Sequence, residues 1–215
     1  MSFRDRAIDT RTWGEAEEDH QRDQRDGLTP RVGAPILTQR TQPGRRTILA
    51  FTGHRPQRMG GFNPDNPTAR WVRAQLAAAI GRAFRAGFRT FIVGGALGFD
   101  YWAACAVLDQ QQQLILALPF AGHDQRWNDQ SRTELAALIQ RTHTAGGEVR
   151  YISAPGYNPQ KLTIRDHWMI DHAHAVIAGW DGGQQGGTWN TITYARNVQR
   201  PIFGINHTTR TAEWM

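Results

Sequence analysis

Phe91-Ile-Val-Gly-Gly-Ala-Leu-Gly-Phe-Asp100, followed by Tyr101 and Trp102, is the stretch whose reading decides the fold of this chain. Three apolar residues end in a glycine pair, a further glycine follows at position 98, and an acid stands in the first turn of an expected helix. A buried strand that hands over to an anion-binding helix N-terminus has this form, because glycines let backbone amides close on an anion and the helix dipole favours negative charge. The spacing is G-G-x-x-G. It is neither the dinucleotide fingerprint G-x-G-x-x-G nor a phosphate loop ending in Gly-Lys-Ser/Thr. Asp100 also opposes a phosphate at the same spot, so it is read either as a helix-stabilising acid or as a group for ribose, base or acid–base work.

Outward from this turn, apolar runs of strand length alternate with longer segments of helical period. Strands are expected over Thr47–Thr52, Thr90–Gly94, Gln113–Pro119, Glu148–Ser153, His174–Gly179 and Pro201–Ile205. Helices are expected over Thr68–Ala86, with Trp71, Leu76, Ile80 and Phe84 on one stripe, then Phe99–Gln110, Asp129–Thr144, Gln160–His172 and Thr188–Gln199. Near-continuous apolar strands between helices imply a parallel sheet covered on both faces. The fold class is α/β: a three-layer, Rossmann-like domain with a mainly parallel sheet, preceded by a mobile charged N-terminal arm. The arm and linker are placed at residues 1–45 and the domain at 46–215. Up to Arg46 the chain holds nine arginines against eight acids and lacks an apolar period, which is the composition of an unpacked segment.

The whole chain of 215 residues carries a net charge of +6, almost all of its basic side chains being arginine, with Lys161 the one lysine. Interspersed acids make this a compositional, solvated charge rather than the footprint of a nucleic-acid binder. Cys105 is the one cysteine, set in an apolar run, and is read as a small core residue without a disulfide partner. No apolar run approaches the length of a membrane span and the first residues are charged, so a cytoplasmic protein without a membrane partner is expected.

In open parallel sheets ligands collect outside the carboxyl ends of the strands, so the segments after the strands carry the functional reading. After the first strand, Thr52, Gly53, His54 and Arg55 offer a hydroxyl, a close-approach glycine, an imidazole and a guanidinium to an anion. The loop Gly60–Pro67 that follows is long enough to lie over them. After the second strand come Gly94, Gly95, Ala96 and Gly98, with Asp100. After the third, His123, Asp124, Arg126 and Trp127 share one loop, Trp127 serving either as a base-stacking ring or as a core plug. Between Arg165 and Thr188 a helix runs into a strand, the strand opens into a glycine-rich loop, and Gly186, Gly187 and Thr188 start another helix, a second phosphate-type cradle.

His167, Asp171, His172 and His174 raise a metal reading. Positions 167 and 171 share a helical face while 172 and 174 point elsewhere, so no metal site is assigned and no cofactor is called for. Neither a G-x-S-x-G serine nor a Cys/His nucleophile signature occurs.

Taken together, Phe51-Thr-Gly-His-Arg-Pro56, Gly94 to Asp100 with Trp102, Leu118-Pro-Phe120 with Trp127, Arg165 with Trp168-Met-Ile-Asp171, and Gly186-Gly-Thr188 with Tyr194-Ala195 resemble the YspA/YpsA-type proteins of the SLOG superfamily. The likeness runs from about Arg46 to Ile205. It implies a Rossmann-like fold that binds nucleotides or nucleotide-derived ligands, in a superfamily that also contains the cytokinin-activating LOG phosphoribohydrolases and the DNA-processing protein DprA/Smf. The LOG pattern Arg-x-x-x-Met is matched by Arg165 and Met169, and its Gly-Thr by Gly187 and Thr188. Its catalytic Glu falls on Thr191, which cannot stabilise an oxocarbenium-like centre or activate water as a carboxylate does.

Three readings follow. In the first, the chain binds a mononucleotide or ADP-ribose-like ligand, with Gly94, Gly95, Gly98 and Gly186–Thr188 at phosphate, Arg55 and Arg165 neutralising it, and Asp100 at the ribose or base. In the second it is an N-glycosidic hydrolase of nucleoside monophosphates with Asp100 as acid/base and Arg165 orienting phosphate. In the third it binds single-stranded nucleic acid through the arginines of Arg70–Arg89 and the arm. A homo-oligomer is expected from superfamily habit and from Trp71 and Phe88 on helix faces.

Overall fold

Alternation of side chains along each strand sorts the apolar residues onto two faces, and the computed structural model, which describes residues 47–63 and 65–215, shows both faces covered. The arm expected at 1–45 lies outside the described residues. Seven strands form one sheet: β1 Thr47–Gly53, β2 Phe88–Val93, β3 Gln113–Leu118, β4 Glu148–Tyr151, β5 Ala175–Gly179, β6 Ile202–Asn206 and β7 Thr211–Trp214. Their order is β4-β3-β2-β1-β5-β6-β7, with every neighbouring pair parallel except β6 and β7. The chain winds outward from β1 to β4, then returns to β1's other side with β5. That reversal makes the β1/β5 junction the switch point of the sheet.

Five helices complete the described layers: α1 Pro67–Arg85, α2 Phe99–Asp109, α3 Asp129–Thr144, α4 Pro159–Asp171 and α5 Gly187–Asn197. Leu49, Phe51, Phe91, Val93, Leu116 and Ile177 point to the layer built by α1, α2 and α3. Ala50, Ile92, Ala117, Val176 and Ala178, one position out of phase, point to α4 and α5, where Trp168, Met169, Ile192 and Ala195 meet them. The three-layer expectation therefore rests on the two-residue strand period, with each face fed by alternate side chains.

Helix starts divide into two kinds. Asn66, Asn128 and Asn158 cap α1, α3 and α4 with side-chain oxygens that accept from Thr68, Ser131 and Gln160 amides at 2.8, 2.8 and 2.9 Å. By contrast α2 and α5 begin at Gly98 and Gly186, neither of which offers a side-chain cap. These are the two glycine turns singled out from the sequence.

Differences from expectation have physical causes. β7 was not anticipated: it is four residues long and mostly exposed, and pairs antiparallel with β6, so it lacks the apolar run of an interior strand. In α1 the buried stripe is Ala69, Val72, Leu76, Ala79, Ile80 and Ala83, which leaves Phe84 exposed under Arg89 and Trp71 half-buried under Arg210. Phe88, placed on a helix face as an oligomer contact, instead opens β2 and is buried. Cys105 is partly buried against the α1–α3 core, where burial raises its thiol pKa against the opposing hydrogen bond from Tyr101 and the charge of Arg141. No helix among the described residues is long and apolar enough to cross a membrane.

Candidate functional site

Parallel winding brings the loops after β3, β2, β1 and β5 to one edge of the sheet in that order. Gly53 and Gly179 end β1 and β5 as direct register partners. The Phe99 ring, fully buried, occupies the space into which a Cβ on either glycine would project. The switch-point crevice is thus plugged from within by the first residue of α2.

Above the plug, the loops after β1 and β5 are tied together. His54 donates its own amide to Gly179 O at 3.1 Å, and its Nε2 lies 2.9 Å from Asp181 Oδ1. Arg58 Nη2 reaches Asp181 Oδ2 at 2.6 Å, and the Gly183 amide donates to Oδ1 at 2.9 Å. Burial pushes the Asp181 carboxyl up, but the Gly183 amide, His54 and Arg58 outweigh it and hold the pKa at about 2. Nε2 also lies 3.3 Å from the Asp181 amide, which donates to it, and burial lowers the His54 pKa against Asp181's pull. Asp181 is consumed by this clasp and is not free to replace the absent LOG-type glutamate.

The turn after β2 holds an anion of its own. Asp100, buried in the first turn of α2, accepts from the Ala96 amide, and its Oδ2 lies 2.7 Å from where a Cβ on Gly94 would stand. Beside it the buried Arg165 of α4 donates through Nη1 to Gly94 O and, at 3.3 Å, to Ala117 O, so one guanidinium joins the ends of β2 and β3. Asp166 Oδ1 sits 2.9 Å from Arg165 Nε but off the N–H direction, which leaves Nε paired in charge and without an acceptor. Desolvation raises the Asp100 carboxyl to about 6, with Arg165 pulling the other way and Asp166 reinforcing it. A carboxylic acid that titrates near neutrality is suited to proton transfer.

The glycines of this turn serve packing. Gly95 leaves room for Leu118, and Gly98, with φ +89°, comes so close to the β1 loop that a Cβ would meet His54 O at 2.8 Å. Phe99 N donates to that same carbonyl at 3.2 Å. The turn after β5 is different. Gly186 has φ +86° and neither it nor Gly187 has any atom within 4 Å of an added Cβ. No side chain caps the first amides of α5, and Thr188 is half-buried in the first turn.

Other anticipated residues fall into place around these. Thr52 is buried at the end of β1. Arg55 is exposed, lies 5.9 Å over the Trp127 ring, and is electrostatically coupled to Asp100 and Arg165. It has no side-chain hydrogen bond or ion pair among the described residues. Thr191, at the LOG glutamate position, spends its hydroxyl on Gly187 O at 2.9 Å. His167 and Asp171 do share a face, and it holds Tyr194: the His167 ring stacks on it at 3.7 Å and Asp171 accepts its hydroxyl at 2.8 Å. His172 stacks on Trp168, and His174 Nδ1 accepts from the Ile48 amide at 3.1 Å. No cluster of metal-ligating side chains occurs among the described residues.

Sequence reasoning missed Asp166 as the partner of Arg165, Phe99 as the reason for Gly53 and Gly179, and Tyr157, which stands 6.3 Å from Phe120 at the same edge. Only Asp166, adjacent to Arg165 in the chain, left any trace in the sequence.

Comparison with known proteins adds to this geometry. A profile of the family described as YpsA, YspA SLOG family, matches residues 49–205. The chain is similar to a UPF0398 protein of Bacillus pumilus, 23% identical over 164 residues that cover 74% of this chain and 87% of that protein. It is also similar to a UPF0398 protein of Streptococcus agalactiae (27%, covering 63% and 78%) and to UPF0398 protein YpsA of Bacillus subtilis (21%, covering 65% and 78%). Among solved structures, DNA processing protein A (DprA) from Streptococcus pneumoniae superposes with a TM-score of 0.53 at 16% identity, over 74% of this chain and 50% of that one. The chain thus spans about half of that structure, and at this identity the likeness is one of fold.

Proposed function

The chain belongs to the YspA SLOG family, and from that premise we propose that it binds a nucleotide or nucleotide-derived ligand across the strand-end edge. The observation that carries the proposal is the uncrowded start of α5, where no neighbouring group approaches the Cα of Gly186 or Gly187 and no side chain caps the helix. The other glycine turn is occupied by its own Asp100, so the phosphate belongs at α5, with Arg55 of the neighbouring β1 loop, which has no side-chain hydrogen bond or ion pair among the described residues, assigned as its cation. Asp100 and the Gly94–Gly98 turn then face the sugar. The family match begins at residue 49, in keeping with a domain from 46 and a separate charged arm before it. Association of copies is part of the proposal, with Trp71 as its remaining aromatic contact.

Ligand binding to the folded state raises stability by RT ln(1 + [L]/Kd), about 2.7 kcal/mol at a hundredfold excess over Kd. Nucleotides and ADP-ribose should therefore raise the melting temperature while the corresponding nucleosides do not. Unchanged melting across mono-, di- and cyclic nucleotides would remove the proposal's support.

A second reading, N-glycosidic hydrolysis, is favoured by one observation: the Asp100 carboxyl near 6 beside Arg165. Asp100→Asn should then stop release of free base while ligand still binds, and equal turnover by the variant excludes the role. The DprA likeness motivates the third reading, single-stranded DNA binding along exposed Arg70, Arg73, Arg82 and Arg85 of α1. Such binding falls steeply with salt, and absence of a gel shift at low salt disposes of it.

A further inference from the structure

Beyond the phosphate end, the loops after β3 and β4 build a row of rings at the same edge of the sheet. Tyr157 meets Phe120 edge-to-face at 6.3 Å, Phe120 meets His123 at 6.2 Å, and His123 meets Trp127 at 5.4 Å. Cations lie over the row: Arg126 over Tyr157 at 4.4 Å, Lys161 over Phe120 at 5.9 Å and Arg55 over Trp127 at 5.9 Å. Tyr157 is 56% exposed, so the row is open at one end. Aromatic faces with cations beside them suit the stacking of a nucleobase.

Within the row, one atom is polar, buried and unanswered. His123 Nδ1 lies 3.2 Å from Phe120 O, and since a carbonyl only accepts, Nδ1 carries the hydrogen. Nε2 of the neutral ring is therefore an acceptor, and no group among the described residues donates to it. Burial pushes the imidazole down to about 4, against Asp124, so the ring is neutral at physiological pH. A buried acceptor left without a donor costs free energy that a matching donor restores.

The edge order β3-β2-β1-β5 sets the distance between this row and the Gly186–Thr188 turn. Three strand spacings amount to roughly 14 Å, about the length of an extended nucleoside diphosphate. Resting on the nucleotide reading above, we infer that the loop after β3 is the base-recognition half of the site, and that His123 Nε2 accepts a hydrogen bond from the exocyclic amino group of an adenine or cytosine nucleoside diphosphate.

The test is a titration of the full chain with ADP, IDP, CDP and UDP, each pair differing by an amino group replaced with a carbonyl and by a hydrogen gained on the adjacent ring nitrogen. Adenine or cytosine should win over its keto counterpart by about tenfold, the size of one net hydrogen bond plus the cost of an unpaired acceptor, and the pair that shows the preference identifies the base. His123→Phe, which keeps a ring in the row, should bind both members of that pair within about twofold of each other. Equal binding of amino and keto members by the wild-type chain overturns the inference without needing the variant, as does a preference that survives in His123→Phe. Binding by none of the four overturns this inference, while the nucleotide reading stands or falls on the melting screen above.

Discussion

Gly53 and Gly179 stand opposite one another at the ends of two parallel strands, and the Phe99 ring fills the space a side chain on either would need. An added methyl at Gly179 therefore displaces a fully buried ring from the middle of the molecule. Gly179→Ala should cost about 1–3 kcal/mol, the usual range for overpacking. Paired with Phe99→Ala it should cost less than the sum of the two single changes, because residues in contact couple. Denaturant midpoints of the four proteins measure this, and strict additivity would show that the ring does not rest on the strand ends.

Arg165 joins two strand ends through Gly94 O and Ala117 O and is flanked by Asp100 and Asp166. Arg165→Met leaves two carboxylates facing each other with their buried cation gone. A loss of about 3–5 kcal/mol is expected at neutral pH, shrinking as pH falls through about 6, where the raised carboxyl protonates. Urea unfolding at both pH values tests it; a loss that does not change with pH would mean that the charge is not what Arg165 contributes.

Asp100 sets its own pH signature. Its carboxyl stands at about 6 in the folded chain against the ordinary 3.8, so between about pH 4 and 6 the folded state holds the proton that the unfolded chain has released. Its contribution to stability is accordingly greatest at the acid side of this window and falls as pH rises through it, by about 3 kcal/mol in all. Asp100→Asn should gain on the wild type as pH is raised from about 4 to 7 and level off above. Parallel stability curves for the two proteins would place the titration elsewhere.

Gly187 separates the binding reading from stability. Space for a Cβ is open there and its φ is not in the left-handed region, so Gly187→Ala should melt within about 0.5 kcal/mol of the wild type. The methyl enters the space assigned to phosphate, and nucleotide affinity should fall about tenfold or more. Calorimetric melting with ligand titration on one preparation reads both, and undiminished affinity would move the phosphate away from α5.

The α/β class, the two-faced sheet and the five described helices were legible in the chain because apolar period reports burial locally. Glycine pairs likewise marked the two helix starts that lack a side-chain cap. Their meaning was not legible. Gly94, Gly95 and Gly98 looked like a phosphate cradle, yet each is needed where Arg165, Leu118 or the β1 loop approaches from a distant part of the sequence. β7 escaped notice for a related reason: its four residues pair with β6 at the sheet edge and carry no buried run.

The sequence alone determined where the six parallel strands and the five described helices lie and which loops gather at one edge of the sheet, since both follow from short-range patterning and the handed winding of parallel strands. Only the tertiary structure decided which glycine turn is crowded by distant parts of the chain. Asp100 is carried to its turn by its own helix, but the Arg165 that neutralises it comes from α4, 65 positions on in the chain. Whether a turn keeps its amides for a ligand or spends them on a neighbour depends on contacts between segments that only folding brings together, and no local pattern encodes that.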